Sequence, residues 1–174
     1  MSDNYTCKLD NAMLKMAIEE LNEVPEERLS AVETLRQWVV KQPHVNFITD
    51  TDILLRYLRA AKFSQLRARE LIEGCLTVAQ EMPKWTQDID PTEKRIQAFI
   101  NTGYIVPLPG RDELGRKIFI YRMNKMDPES KEYDKVSMMR AFACIFAYYL
   151  RDENTQVCHF LISILKRPFC QPQP

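Results

Sequence analysis

The sequence predicts a mostly-α α/β protein, in which an N-terminal helical bundle leads into the opening part of an α/β domain. Two observations carry this. Through the first hundred residues, apolar positions recur at the three-to-four spacing of amphipathic helices. At Gly103 the pattern changes to strand, turn, strand, helix and strand, and a strand–helix–strand order implies a parallel pair with a right-handed crossover.

Taken in order, residues 1–9 read as a frayed start and residues 10–22 as a helix with Met13, Leu14, Ile18 and Leu21 on one face. A second helix is expected to start at Pro25, because proline suits the first helical position and Glu26 and Glu27 favour that end. Its stripe is Leu29, Val32, Leu35, Trp38 and Val39, and Pro43 ends it before a loop over 43–48. A short helix follows at 51–61, capped by Asp50 or Thr51, with Ile53, Leu54, Tyr57, Leu58 and Ala61 apolar. Ser64 reads as the cap of a helix over about 65–83 that places Leu66, Leu71, Ile72, Cys75, Leu76 and Ala79 inward. Gly74 within it costs up to ~1 kcal/mol against alanine, which suggests close packing with a neighbour. Pro83 ends that helix and Trp85 covers its end. Thr92–Asn101 reads as one more helix.

After Gly103, Tyr104–Leu108 reads as a strand, placed at an edge because Pro107 has no N–H to donate. Residues 109–115 form a turn, and Lys117–Met123 is a second strand with two apolar faces, expected to be covered on both sides. Tyr133–Leu150 is an apolar helix, too short for a membrane span, which takes roughly 20 residues. Asp152–Asn154 is a turn and Gln156–Leu165 a third strand.

Bulk numbers bound the function. The chain of 174 residues is 45% hydrophobic and 28% charged, the balance of a soluble globular protein. A pI near 6.7 argues against a general nucleic-acid binder. No signal peptide is visible at the polar N-terminus, and the five irregularly spaced cysteines are expected as reduced cytosolic thiols.

One stretch departs from that neutrality. From Ile53 to Arg69 there are five basic residues (Arg56, Arg59, Lys62, Arg67, Arg69) and no acid. Charge runs are usually the wet edge of a core helix. The sharper reading is an anion site, since guanidinium forks fit phosphate oxygens. That reading is favoured by a family likeness. Asp52-x-Leu-Leu-Arg-Tyr-Leu-Arg-Ala-x-Lys-Phe63 resembles the N-terminal helical signature of the CRAL-TRIO (Sec14-like) lipid-binding family, in particular its retinaldehyde-binding and alpha-tocopherol-transfer-like members. Further motifs follow in family order up to Val157: Ala68-Arg-Glu-Leu-Ile, Asn101-Thr-Gly-Tyr, Arg111-Asp-x-x-Gly115-Arg116-Lys-Ile-x-x-x-Arg122, Asp127-Pro128, Tyr133-Asp134 and Asp152-Glu-Asn-Thr155-Gln156. Tocopherol-transfer-like members carry a further basic residue where this chain has Ala61.

The resemblance implies a helical domain over 1–102 and an incomplete lipid-binding domain over 103–174. It also implies one hydrophobic ligand (retinoid, tocopherol or phospholipid-like) held between sheet and helices. Ile118, Ile120, Met139, Phe142, Ala143 and Phe146 would line that pocket, although methionine and phenylalanine stripes are more often plain core. Arg56, Arg59 and Lys62 would meet the phosphates of phosphatidylinositol bisphosphate at a membrane. The family continues for about as much sequence again, whereas the tail from about residue 159 does not resemble it. The chain is therefore expected to be a C-terminally truncated member with impaired lipid enclosure. It is expected to be monomeric, cytoplasmic and transiently membrane-associated.

No constellation of acid, base and nucleophile supports an enzyme, and no cofactor is implied. Gly110–Lys117 has phosphate-loop glycine spacing, but it lacks the Lys-Ser/Thr ending and contains two acids, so a hairpin turn fits better. Cys158-His159 reads as a strand pair rather than a nucleophile. Cys144, Cys158, His159 and Cys170 lack zinc spacing, and His44 lies in a loop. The alternative function is a helical protein-interaction module or regulatory isoform, whose binding would be indifferent to lipid and would survive loss of residues 103–174.

Overall fold

The computed structural model describes residues 5–42 and 46–165. The expectations for Pro43, His44, Cys170 and the last part of the divergent tail lie outside them. About 55% of the described residues are helical, with one small three-stranded sheet among them, as the mostly-α α/β reading requires. The chain divides into two compact units, residues 1–83 with 149–158 and residues 84–148 with 159–174.

In the first unit, α1 (Asn11–Leu21) starts where Asp10 Oδ1 accepts the Met13 N–H at 2.9 Å. It stops at Asn22, whose φ of 59° is the left-handed conformation common after a helix end. Met13, Ala17 and Leu21 are buried, while Ile18 faces solvent. α2 (Arg28–Val40) begins three residues after Pro25, with a turn occupying 25–27. Val32, Leu35 and Val39 of the expected stripe are buried and Trp38 packs against them, but at its start Arg28 is buried in place of Leu29, which is 50% exposed.

α3 (Thr51–Ala60) forms where expected, with Asp52 in its first turn and Arg59 in its last, both matched to the helix dipole. Leu54, Leu55, Leu58 and Ala61 join Val32, Leu35, Val39, Ala68 and Ile72 in one core cluster. Each such leucine gains roughly 1.5–3 kcal/mol from burial. Two consecutive left-handed residues, Lys62 (φ 51°) and Phe63 (φ 58°), stop the helix. They turn the chain so that Ser64 Oγ can accept the Arg67 N–H and start α4 (Gln65–Glu81).

α4 is less buried than its sequence suggests. Only Ala68 and Ile72 are buried among its residues, and Leu66 is 67% exposed. Nothing lies near where a Gly74 side chain would project, so that glycine does not mark a close helix contact. The unit is completed by α8 (Glu153–Cys158), which packs on α1 and α3. Val157 of α8 closes a second core cluster with Ala17 and Leu21. Residues 156–158, expected as the start of a strand, are helical because Gln156 bonds to Arg59 and Val157 packs on Ala17 and Leu21.

The second unit begins after Pro83, which starts a short helix, α5 (Pro83–Thr86), rather than only ending α4. α6 (Lys94–Asn101) follows, then β1 (Ile105–Arg111) and β2 (Lys117–Arg122), an antiparallel pair with an irregularity between Pro107 and Arg111. The turn between them is built on Asp112, which accepts the N–H groups of Leu114 (3.1 Å) and Arg116 (2.8 Å). Gly110–Lys117 is thus a hairpin turn. After a 3-10 turn at Met123–Lys125 comes α7 (Lys135–Tyr149), then β3 (Phe160–Leu165), which pairs parallel with β2. The sheet order is β1-β2-β3, so β1 is an edge strand, consistent with Pro107.

α7 is fixed at its start by a reciprocal cap. Asp134 Oδ1 accepts the Ser137 N–H at 2.8 Å, and Ser137 Oγ accepts the Asp134 N–H at 2.8 Å. Arg140, further along α7, donates to the Lys84 carbonyl at 2.7 Å and to Glu93 at 3.2 Å. Between α6, α7 and one face of the sheet lies an aromatic core. Phe99 meets Tyr104, Tyr133 and Phe142 with ring centroids 5.7, 5.2 and 5.5 Å apart, within the range of edge-to-face and offset pairs.

Candidate functional site

The basic helix α3 carries two arginines one turn apart with different surroundings. Arg59 is fully buried. Its Nε donates to Glu23 at 3.0 Å, its Nη2 to Glu23 at 3.2 Å and to Glu153 at 3.0 Å, and its Nη1 to Gln156 at 2.9 Å. Glu23, also fully buried, accepts in addition from Arg28 Nε. Glu153 accepts from the Tyr5 hydroxyl at 2.8 Å. Burial works against the Arg59 charge, but the hydrogen bonds and charges of Glu23 and Glu153 outweigh it and hold its pKa above the ordinary arginine range. Burial and the hydrogen bond to Glu153 raise the Tyr5 hydroxyl well above the normal phenol range.

This corrects the expectation for Arg59. A guanidinium whose donors are taken by two carboxylates and an amide has no face left for phosphate. It instead ties α3 to α8 and to the connection between α1 and α2. Its pairing with Glu23, Glu153 and Gln156 was not foreseen from sequence, and no local signal marks it, since these contacts span 36 to 97 residues.

Arg56 is different. It is half-buried, and its Nε is buried with no hydrogen-bond partner. Burial lowers its pKa, the charge of Arg151 adds to that lowering, and Asp52 opposes it. Arg151 is exposed and sits in the turn just before α8. Lys62 is exposed at the far end of α3. The three expected phosphate contacts therefore do not converge: one points into the core, one lies half-buried, and one stands beyond the helix end.

The expected lipid-lining residues also separate. Side chains alternate across a strand, so Phe119 and Tyr121 of β2 share one face and Ile118 and Ile120 the other. Phe119 meets Phe146 at 5.5 Å and Phe160 at 5.0 Å, and Tyr121 meets Phe142 at 6.4 Å. The Phe119 face is therefore the one that α7 covers, and Phe142 and Phe146 are part of its aromatic packing. Met139 is half-buried on the same helix and Ala143 is exposed. Ile118 and Ile120 lie on the opposite face, where the register sets them beside Leu161 of β3 and Val106 of β1. These four are half-buried. The six residues do not lie on one face of the sheet: Phe142 and Phe146 pack on the Phe119 side, and Ile118 and Ile120 lie on the other with Val106 and Leu161.

Among the described residues no group of histidine, cysteine and acidic side chains could hold a metal ion, and no helix is long and apolar enough to cross a membrane. Cys144 is half-buried, and burial raises its thiol pKa.

An arginine-bearing helical bundle joined to a strand–helix–strand unit is the arrangement that the CRAL-TRIO resemblance implies. Comparison with known proteins places the chain beside that class: it is related to CRAL-TRIO proteins at about 30% identity over 88% of its length. The individual relatives include alpha-tocopherol transfer protein-like from Mus musculus and from Homo sapiens, each 30% identical over 154 residues, or 88% of this chain and 44% of the relative. Clavesin-2 from Homo sapiens is 28% identical over 152 residues, 87% of this chain and 46% of the relative. The chain thus spans less than half the length of the curated relatives it matches. Residues 24–96 match the family described as Pinta-like, UBA domain.

Proposed function

We propose that this chain belongs to a non-enzymatic lipid-binding and lipid-transfer protein, which takes up one small hydrophobic lipid (a retinoid, tocopherol or phospholipid-like molecule) and meets membranes that carry phosphatidylinositol bisphosphate. The observation that carries this is the continuous similarity, along 88% of the chain, to proteins named for alpha-tocopherol transfer. The half-buried Val106, Ile118, Ile120 and Leu161 give an apolar surface on which a lipid chain would lie, in keeping with the mostly apolar lining of ligand sites. Arg56 and Lys62 supply the positive charge toward phosphate, each worth about 1 kcal/mol near an anionic surface. The protein would work as a monomer in the cytoplasm and visit membranes transiently.

Two assays test this. In liposome co-sedimentation, the chain should bind vesicles containing phosphatidylinositol bisphosphate better than phosphatidylcholine vesicles, and Arg56→Glu/Lys62→Glu should lose that preference. After incubation with vesicles containing tocopherol or retinaldehyde, the re-purified chain should carry lipid detectable by mass spectrometry. Equal binding by variant and wild type would end the headgroup reading; lipid-free protein would end the cargo reading.

The match of residues 24–96 to a family described as a UBA domain favours a second reading, a helical module that binds a protein partner. Partner binding unchanged by added lipid, in a chain that takes up none, would select it.

A further inference from the structure

We propose that the exposed apolar seam of α4 pairs with the same seam on a second copy of this chain, the two helices running antiparallel about a two-fold axis at Gly74. This goes beyond the lipid-transfer reading and does not rest on it.

α4 is 17 residues long and turns Ala68 and Ile72 into the core. A helix that packs on one side is expected to be polar elsewhere. Here a second face is apolar too. Leu71, Cys75 and Val78 follow one another along it, with Met82 at the cap, and their spacings of four, three and four residues are those of a coiled-coil seam. Leu71 is 41% and Val78 48% exposed, and Cys75 is exposed as well.

The flank of this seam says what covers it. Arg67, Gly74 and Glu81 recur there at heptad intervals, all exposed, and charges beside a seam set partner and orientation. With the axis at Gly74, each residue before it lies opposite the residue equally far after it. Arg67 of one copy then faces Glu81 of the other, and the reverse, so two ion pairs form together. A parallel pair would set arginine against arginine and glutamate against glutamate. Among the described residues, neither Arg67 nor Glu81 forms an ion pair within its own chain. Nothing in the chain lies within 4 Å of where a Gly74 side chain would project, so at the axis the two backbones can approach closely. Leu71 and Val78 of each copy then reach the seam of the other and leave water.

The pair should be weak. Two helices about 25 Å long cover an area at or below the low end of the roughly 1,200–2,000 Å² of specific, stable interfaces. A single chain therefore persists at low concentration, and the pair gathers where the protein is concentrated.

Sedimentation equilibrium of the full chain, from low to high micromolar concentration, tests this. The mean mass of wild type should rise from one chain toward two. Val78→Glu puts a charge in the seam and Gly74→Leu puts bulk at the axis; both should stay single throughout. Each replaces an exposed residue, so thermal melts at low concentration should be no lower than wild type. Arg67→Glu and Glu81→Arg should each weaken the pair about ten-fold, because two attractive contacts become repulsive. The double reversal Arg67→Glu/Glu81→Arg should pair like wild type, a recovery that a folding defect would not show. A wild-type mass of one chain at the highest concentration overturns the inference. So does a double reversal as weak as the single ones. Pairing that survives Val78→Glu and Gly74→Leu also overturns it and points to another surface, such as the β3 edge of the sheet. If wild type stays single while Val78→Glu loses binding to phosphatidylcholine vesicles, lipid covers the seam and the inference falls.

Discussion

Replacing Arg59 by methionine tests the buried network directly. The change removes four hydrogen bonds, to Glu23 (twice), Glu153 and Gln156. Glu23, which is 0% exposed, is left with Arg28 as its one cation, and Glu153 keeps the Tyr5 hydroxyl. Breaking a buried ion pair on one side costs about 3–5 kcal/mol, because the remaining charge stays buried. The lower end is expected here, since Arg28 and Tyr5 still serve the two carboxylates. At about 4–8 °C per kcal/mol for a unit of this size, the midpoint of thermal unfolding should fall by at least about 12 °C. Arg59→Lys keeps the charge but loses the planar fork, and should fall between methionine and wild type. The double variant Arg59→Met/Glu23→Gln should lose less than the sum of the two single variants, because the two side chains are bonded directly to each other. Thermal unfolding followed by circular dichroism and tryptophan fluorescence measures all three. An Arg59→Met midpoint equal to wild type, or a double variant whose loss is the sum of the singles, would refute the argument.

Three other outcomes are expected. Asp134→Ala removes the cap of α7 and should cost about 1 kcal/mol of stability. The backbone N–H of Ser137 holds the Asp134 carboxyl below its usual pKa, so its contribution is present at neutral pH and lost as pH falls through the folded-state value; an acid titration of stability should be flatter in the variant. Gly103→Ala places a methyl group against the Arg122 guanidinium at a backbone φ of 62° and should destabilise by about 1–2 kcal/mol from the left-handed backbone alone, more if Arg122 loses its 2.7 Å bond to the Gly103 carbonyl. Gly74→Ala, in contrast, meets open space within α4 and should raise stability by up to about 1 kcal/mol, read from the urea midpoint.

Much of the helical architecture was legible because its signals are local. α3 has acids at its start, an apolar stripe and an abrupt end, and its predicted bounds, 51–61, nearly match Thr51–Ala60. The parallel pairing of β2 with β3 followed from element order alone. What was not legible depends on contacts far apart in sequence. Arg56 and Arg59 look alike on a helix; only Glu23 and Glu153, 36 and 94 residues away, make one of them a core residue. Residues 156–158 carry strand-like composition, yet Val157 packs on Ala17 and Leu21, and Gln156 bonds to Arg59, so tertiary contacts fix a helix there. In α2 the one-position shift from Leu29 to Arg28 has the same origin, because Arg28 turns inward to reach Glu23. In the sheet, the alternation of β2 was read correctly, but which face α7 would cover is set by the aromatic pairs of Phe119 and Tyr121.

The segment 149–158 lies between α7 and β3 in sequence but belongs with the helices. Neither compact unit is therefore a single continuous piece of chain. A gene fragment that stops at residue 102 would encode every helix of the bundle except α8, and it would leave Arg59 without Glu153 and Gln156. Dissecting this protein by simple deletion would thus produce a bundle with a hole in its charge balance, so binding experiments on such fragments would report on a damaged scaffold as well as on the missing sheet.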